Sequence, residues 1–337
     1  MLQGKIIDTI SNTSDAIVID QSRCLRMRFN RSDCSECIEH CRFNAVRIDE
    51  GVDIKRNICS ECMLCVSVCP SGCFNVKAMD FYSIISRLKK LSNSVPAPVL
   101  GCNARADIKA HEKTACLGFL SEEHIIALSV FLEEKLQVNL TGCADCRNGF
   151  IADNLKKRME SIAEKTSLNI FEKISLVKDR SELCYQDILL DRRGFFKAIK
   201  NLTFLQAVNL LESSATADNT RSYSTKRVTV RRDLLNRVIG NLPEWNYTGV
   251  IDAYYYNLRI DEGCDNCFAC VGMCPTGALK IGTKEAGPEL TFNSSLCSGC
   301  GLCEGFCMNN AILIERGFRG HNPFEFSSVK NGLLCNT

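Results

Sequence analysis

The chain has 337 residues, 23 of them cysteine, and 41 basic against 39 acidic side chains give a formal charge of +2. So high a cysteine density marks disulfide scaffolds in short secreted chains. This chain is long, its cysteine count is odd, and its opening MLQGKIIDTISNTSD has no basic-then-apolar leader pattern. Near-neutral charge argues against a dedicated nucleic-acid binder, no run approaches the ~18 apolar residues of a membrane span, and 45% hydrophobic residues argue against disorder.

In chain order, the first alternating run is AIVID, ahead of Cys24. The segment CLRMRFNRSDCSECIEHC then carries Cys34, Cys37 and Cys41, with Arg31 where a further cysteine would extend the spacing. The runs AVRIDE and GVDIK read as a hairpin. CSECMLCVSVCP follows, with Cys59, Cys62, Cys65 and Cys69 at C-x2-C-x2-C-x3-C, then Cys73 and the strand-like FNVKA.

From Val95 the pattern changes. VPAPVLGC reads as a strand ending at Cys102, and KTACLGFL carries Cys116. SEEHIIALSVFLEEKL reads as a helix capped by Ser121, with Ile125, Leu128, Leu132 and Leu136 at helical spacing. QVNLTGCADC reads as a strand running to Cys143 and Cys146, a helix is expected from Phe150 to about Ala163, and LNIFEKISLV reads as a further strand. Such alternation implies a small α/β domain with a largely parallel sheet, its cysteines at the strand ends where sites are built. DRRGFFKAI, from Asp191, reads as an amphipathic helix start. ESSATADNTRSYSTK, 212–226, reads as a polar linker. The basic stretch Lys226, Arg227, Arg231, Arg232 and Arg237 reads as a solvated helix face, or else as a dock for an acidic redox partner.

Beyond YYYNLRI the chain gives CDNCFACVGMCP, with Cys264, Cys267, Cys270 and Cys274, and CSGCGLCEGFC, with Cys297, Cys300, Cys303 and Cys307, interleaved with ALKIG, PELTF and AILIE. Both are C-x2-C-x2-C-x3-C. Structural zinc uses two CxxC pairs at a distance, not this crowding repeated. The doubled pattern resembles bacterial-type two-cluster ferredoxins, in which the fourth cysteine of each run serves the other cluster. The resemblance implies four [4Fe-4S] clusters. Two would be held by Cys264, Cys267, Cys270 and Cys307, and by Cys297, Cys300, Cys303 and Cys274. The other two would be held by Cys59, Cys62, Cys65 and Cys41, and by Cys34, Cys37, Cys69 and Cys24. For that last set, ligation by Cys73 or a three-iron cluster on three cysteines remains open.

The spacing of Cys102, Cys116, Cys143 and Cys146 is similar to the [2Fe-2S] domain of the hydrogenase–heterodisulfide-reductase linking subunit. It leaves three readings: a fifth iron–sulfur centre, a structural zinc, or redox-active or buried thiols. No GxGxxG follows a strand and no GxxxxGK[ST] occurs, and the four histidines include only His40 beside a cluster cysteine. The expected fold is α+β. It comprises a dicluster module over 1–85, an α/β domain over 95–210, the linker 212–226, and a second dicluster module over 227–337 with its basic helix. The resemblance implies a cytoplasmic, polyferredoxin-like subunit of an anaerobic oxidoreductase complex, passing single electrons between redox protein partners. The alternative is a reductase of a disulfide or small thiol at the middle cysteines, fed by the flanking clusters. By charge count the second module, with its excess of acidic residues over 261–316, is expected to hold the lower-potential pair.

Overall fold

The computed structural model describes residues 16–92, 94–187, 223–242, 244–284 and 287–329. DRRGFFKAI, Cys335 and the linker before Tyr223 lie outside the described residues.

Two small units share one plan. In the first, β1 (Ile17–Ile19) pairs antiparallel with β4 (Phe74–Val76), Ile17 opposite Val76, and so closes the unit around a hairpin of β2 (Val46–Ile48) and β3 (Val52–Ile54). Three one-turn helices interrupt it: α1 (Leu25–Arg28), α2 (Glu36–Glu39) and α3 (Leu64–Val68). The last unit repeats the closure. Here β9 (Tyr256–Ile260) pairs with β12 (Ile312–Arg316) around the hairpin β10 (Leu279–Lys284) and β11 (Gly287–Phe292). Between them sit α10 (Ala269–Met273) and α11 (Leu302–Phe306), and β13 (Ser327–Ser328) adds to β11. The alternation visible in the sequence sets these strands, whose inward residues (Val46, Ile48, Val52 and Ile54 in the first hairpin) are buried.

Between the units lies a four-stranded parallel sheet in the order β6 (Glu112–Thr114), β5 (Val99–Cys102), β7 (Leu136–Asn139), β8 (Ile174–Val177). Its helices are α4 (Phe81–Leu91), α5 (Glu122–Phe131), α6 (Ile151–Lys165) and the single turn α7 (Ile170–Lys173). Asp80 caps α4 by accepting from the Tyr82 N–H at 3.1 Å, and Phe81, Ile84, Ile85 and Leu88 form its buried stripe. Two elements depart from the sequence reading. Leu136 opens β7 rather than closing α5, because α5 stops at Phe131. The first half of LNIFEKISLV turns as α7 before the strand begins.

Two helices lead into the last unit, α8 (Val230–Ile239) and α9 (Glu244–Tyr254). α8 lies against α5. One apolar core runs without a break from the first unit through the parallel sheet to α8 and α9, whereas the last unit has its own smaller core around Leu258, Leu290 and Phe292. Among the described residues no helix is long and apolar enough to cross a membrane.

Candidate metal centres

Three cysteine loops share a backbone that their sequences do not announce. The residues on either side of the central cysteine are left-handed in each: Glu61 (φ 53°) and Met63 (φ 64°) around Cys62, Asn266 (57°) and Phe268 (55°) around Cys267, Gly299 (64°) and Gly301 (70°) around Cys300. Only two of the six are glycine, and each other residue bears a cost of about 1–2 kcal/mol. Strain of this kind persists where surrounding structure dictates it, and it gathers at functional sites. The turns aim N–H groups at sulfur: Glu61 donates to Cys59 Sγ and Gly299 to Cys297 Sγ, both at 3.4 Å. Such concavities of N–H groups favour anions. The fourth cysteines receive the same treatment, Cys41 from Ala45 N (3.2 Å), Cys69 from Cys73 N (3.3 Å) and Cys307 from Ala311 N (3.4 Å). The Cys34–Cys37 loop, where Arg31 replaces the first cysteine, contains neither left-handed residue.

All cysteines among the described residues are free thiols. Cys264, Cys267, Cys270 and Cys307 line one cavity of about 280 Å³. Cys274 comes from the other run to join Cys297, Cys300 and Cys303. Burial pushes the Cys297 thiol up to about 12 and Cys303 well above its usual range, and the neighbouring cysteines, Cys274 among them, add to both. In the first unit Cys41, Cys59, Cys62 and Cys65 share a cavity. Cys34 and Cys37 stand with Cys69 and Cys24: burial pushes Cys34 to about 11 and Cys37 to about 12, and Cys69 and Cys24 are the leading charges on both. Cys73 is a fifth thiol there. Its hydrogen bond to Cys24 draws Cys24 down to about 6 and drives its own proton affinity up.

This donor set fits a cluster. Thiols crowded together without a cation hold their protons, and a cationic iron core reverses that balance on binding. Among the described residues no three His, Cys, Asp or Glu side chains close around the position of a single ion.

The middle cysteines also meet. Cys102, Cys116, Cys143 and Cys146 line one small cavity beside Ile108 and Ile151. Burial raises Cys116 to about 12 and Cys143 to about 11. Cys102 ends β5 as expected. Cys143 and Cys146 do not end a strand, because β7 stops at Asn139 and the chain continues in turns closed by Cys143 N→Leu140 O and Cys146 N→Cys143 O. The exposed Cys184 is not among the residues lining this cavity.

The basic stretch is only in part a solvated face. Arg231 donates to the carbonyls of Ser67 (2.5 Å) and Cys69 (2.6 Å), so it clamps the end of α3. Arg232 is 5% exposed, donates to Tyr254 O at 2.6 Å and lies 4.8 Å over the Tyr255 ring. Lys226 reaches the carbonyls of Val271 and Gly272 on α10. Arg227 is exposed, and so is Arg237, paired with Asp233 at 3.1 Å; these two behave as read. Three side chains escaped the sequence reading altogether. Arg158 donates to Gly118 O and Ser67 Oγ, Arg28 spans the two units, and Phe29 meets Phe306 edge-on at 5.1 Å. No periodicity marks them, since each is defined by a partner distant in sequence. His40 turns its exposed ring to Glu36 O at 2.9 Å.

A family profile for a 4Fe-4S dicluster domain matches residues 263–311. A ferredoxin-like protein of the nif region of Azotobacter vinelandii is 32% identical over 79 residues, which is 21% of this chain and 82% of that protein. A ferredoxin of Methanothermococcus thermolithotrophicus is 33% identical over 64 residues, 18% of this chain and 98% of its own. RNA polymerase subunit Rpo3 of Methanosarcina mazei is 35% identical over 72 residues, but those span only 25% of that subunit. The likeness therefore follows a module that occurs in proteins of different function. On the strength of the matched domain and the ferredoxins covered almost end to end, the chain belongs to the 4Fe-4S dicluster ferredoxin family.

Proposed function

We propose that the protein is a polyferredoxin-like electron carrier, a subunit of an oxidoreductase complex that exchanges single electrons with redox protein partners. The observation that carries this is the crossed gathering of cysteines. Cys307 joins the Cys264, Cys267, Cys270 loop and Cys274 joins the Cys297, Cys300, Cys303 loop. The same crossing recurs with Cys41 at Cys59, Cys62 and Cys65, and with Cys69 at Cys34, Cys37 and Cys24. Those four sets are the proposed ligands, and a bound cluster supplies reversible one-electron storage with no bond made or broken in the protein.

The middle set is proposed as a fifth metal site ahead of a disulfide reductase. A reductase needs an accessible thiolate of lowered pKa, whereas burial raises Cys116 and Cys143. Anaerobic preparation with iron, sulfide and zinc counts tests both readings. About sixteen irons are expected, or about eighteen with a binuclear middle site. Eight or fewer after full reductive reconstitution overturns the proposal. Rapid alkylation of the middle cysteines in fully loaded protein restores the reductase.

A further inference from the structure

We infer that the five cysteine sets stand in one series, and that Arg28 is the positioning residue joining its two halves; this rests on the cluster reading above. The order runs from the middle set to Cys41/Cys59/Cys62/Cys65, then Cys24/Cys34/Cys37/Cys69, then Cys274/Cys297/Cys300/Cys303, and ends at Cys264/Cys267/Cys270/Cys307.

Within each unit short helices tie neighbouring sets, one in the first unit and two in the last. α3 contains Cys65 and is capped at its C-terminus by Cys69. α10 contains Cys270 and is capped by Cys274, and α11 contains Cys303 and is capped by Cys307. Each helix thus gives one cysteine to either side.

The first join between separate parts of the fold is at the middle set. Gly118, two residues beyond Cys116, packs so closely on the Cys62 carbonyl that a Cβ there would overlap it. Asn148, two residues beyond Cys146, donates to Ser60 O at 2.8 Å, and Arg147 donates to Ile58 O at 3.0 Å. Arg147 also lies 4.2 Å over the Phe43 ring, two residues from Cys41. The middle cysteines are therefore seated on the Cys59–Cys62 loop rather than held apart from it.

The second join is between the units. α1 has Cys24 as its N-cap and ends at Arg28, whose N–H donates to Cys24 O at 3.0 Å. Its guanidinium then leaves the first unit. It donates to Ser22 O and Tyr223 O, both at 2.7 Å, and reaches Met273 O, beside Cys274, at 3.5 Å. Burial lowers the proton affinity of this guanidinium, and Cys274 and Cys300 are the leading charges that offset it. Phe29 and Phe306 close the contact. Cys34 and Cys300 line the two walls of one cleft of about 1090 Å³ at the same junction. The series ends in the open: Cys267 is exposed and Met308, next to Cys307, is 81% exposed.

The test uses the full-length, cluster-loaded protein reduced with dithionite, read by paramagnetic resonance and redox titration. The paired substitution Cys34→Ser with Cys37→Ser should abolish the magnetic interaction that its two neighbours in the series feel. The interaction between the Cys297 and Cys264 sets should survive. Arg28→Met should leave the iron count unchanged, lower the midpoint of the Cys297 set and weaken the interaction between halves, and Arg28→Lys should restore the midpoint. A Cys297-set signal unaltered by loss of the Cys34 set, or an Arg28→Met protein indistinguishable from wild type, overturns the order. In that case an iron count near sixteen leaves the cluster reading standing; a count of eight or fewer sinks the reading itself.

Discussion

Gly118→Ala tests whether the middle domain and the first unit form one packed body. A Cβ at Gly118 would overlap the Cys62 carbonyl oxygen and stand 2.9 Å from Ile151 Cδ1. The oxygen belongs to the backbone of a loop held in left-handed turns at Glu61 and Met63, so it cannot swing aside like a side-chain tip. Overpacking of this kind costs about 1–3 kcal/mol, and an immovable partner puts the change at the upper end. At about 2–4 °C per kcal/mol the midpoint of thermal unfolding should fall by roughly 5–12 °C. Gly272→Ala is the control. It lies within α10 with open space for 4 Å around the place a Cβ would take, and should be neutral or stabilise by about 0.5–1 kcal/mol. The measurement is anaerobic calorimetry of loaded protein, with the paramagnetic spectrum recorded alongside. The Cys59/Cys62/Cys65 signal should change and the Cys264 signal should not. A Gly118→Ala protein that melts with the control and keeps every signal would show that this seat is not packed as described.

His124 is buried between the rings of Phe81 (4.5 Å) and Phe119 (5.6 Å), and burial lowers its pKa to about 3. The unfolded chain takes up a proton below about 6.5 that the folded state refuses, so stability should fall as the pH drops from there, by up to about 1.4 kcal/mol per unit. Denaturant midpoints between about pH 7 and 5 should show this slope, flattened in His124→Gln; an identical slope in the variant removes His124 as its source. For the ligand left open in the first unit, Cys24→Ser should convert one cluster to a three-iron form while Cys73→Ser leaves the spectrum of wild type. The opposite result moves the ligand to Cys73.

What the sequence disclosed and what it hid divide along a physical line. Strands such as β2, β3 and β9 were legible because one buried face imposes a period of two, and the cysteine loops because a cluster demands fixed spacing. The crossing of Cys274 and Cys307 followed from family resemblance, not from any local signal. The left-handed turns at Glu61, Met63, Asn266 and Phe268 were invisible, since none of those residues is a glycine marking its own conformation. Arg231 and Arg232, within the basic stretch, were misjudged for a related reason. Arginines at those positions suit a wet helix face equally well, and only distant carbonyls, Ser67, Cys69 and Tyr254, reveal that Arg231 and Arg232 point inward. In the same way α7 hides in LNIFEKISLV because a single turn has no period to read.

Charge placement also revises the expectation drawn from charge counting, which treated the last unit's two sites alike. Three of the unit's acidic residues, Asp261, Glu262 and Asp265, lie at one of them, against Glu304 alone beside Cys303 at the other. Asp261 precedes the Cys264–Cys267 loop and Asp265 lies within it, accepting from Cys267 N at 3.1 Å. These carboxylates are exposed and screened, so each counts for little. The other site receives cations from outside the unit's own span, one of them buried, Arg232, and one half-buried, Arg28. Arg232 is the leading positive charge on Cys297, and Arg28 stands against Cys274 and Cys300. A buried guanidinium about 8–16 Å from an added electron favours it by about 1–2 kcal/mol at an effective dielectric near 20. That is about 40–90 mV for a one-electron couple. The two sites should therefore titrate apart, the Cys297 set at the higher potential. Arg232→Met should lower that midpoint by this amount and leave the Cys264 set unmoved, while Arg232→Lys, which keeps the charge, should retain most of it. Equal shifts at both sites, or a Cys264 set that is reduced first, would mean that solvent exposure and not these two arginines orders the pair.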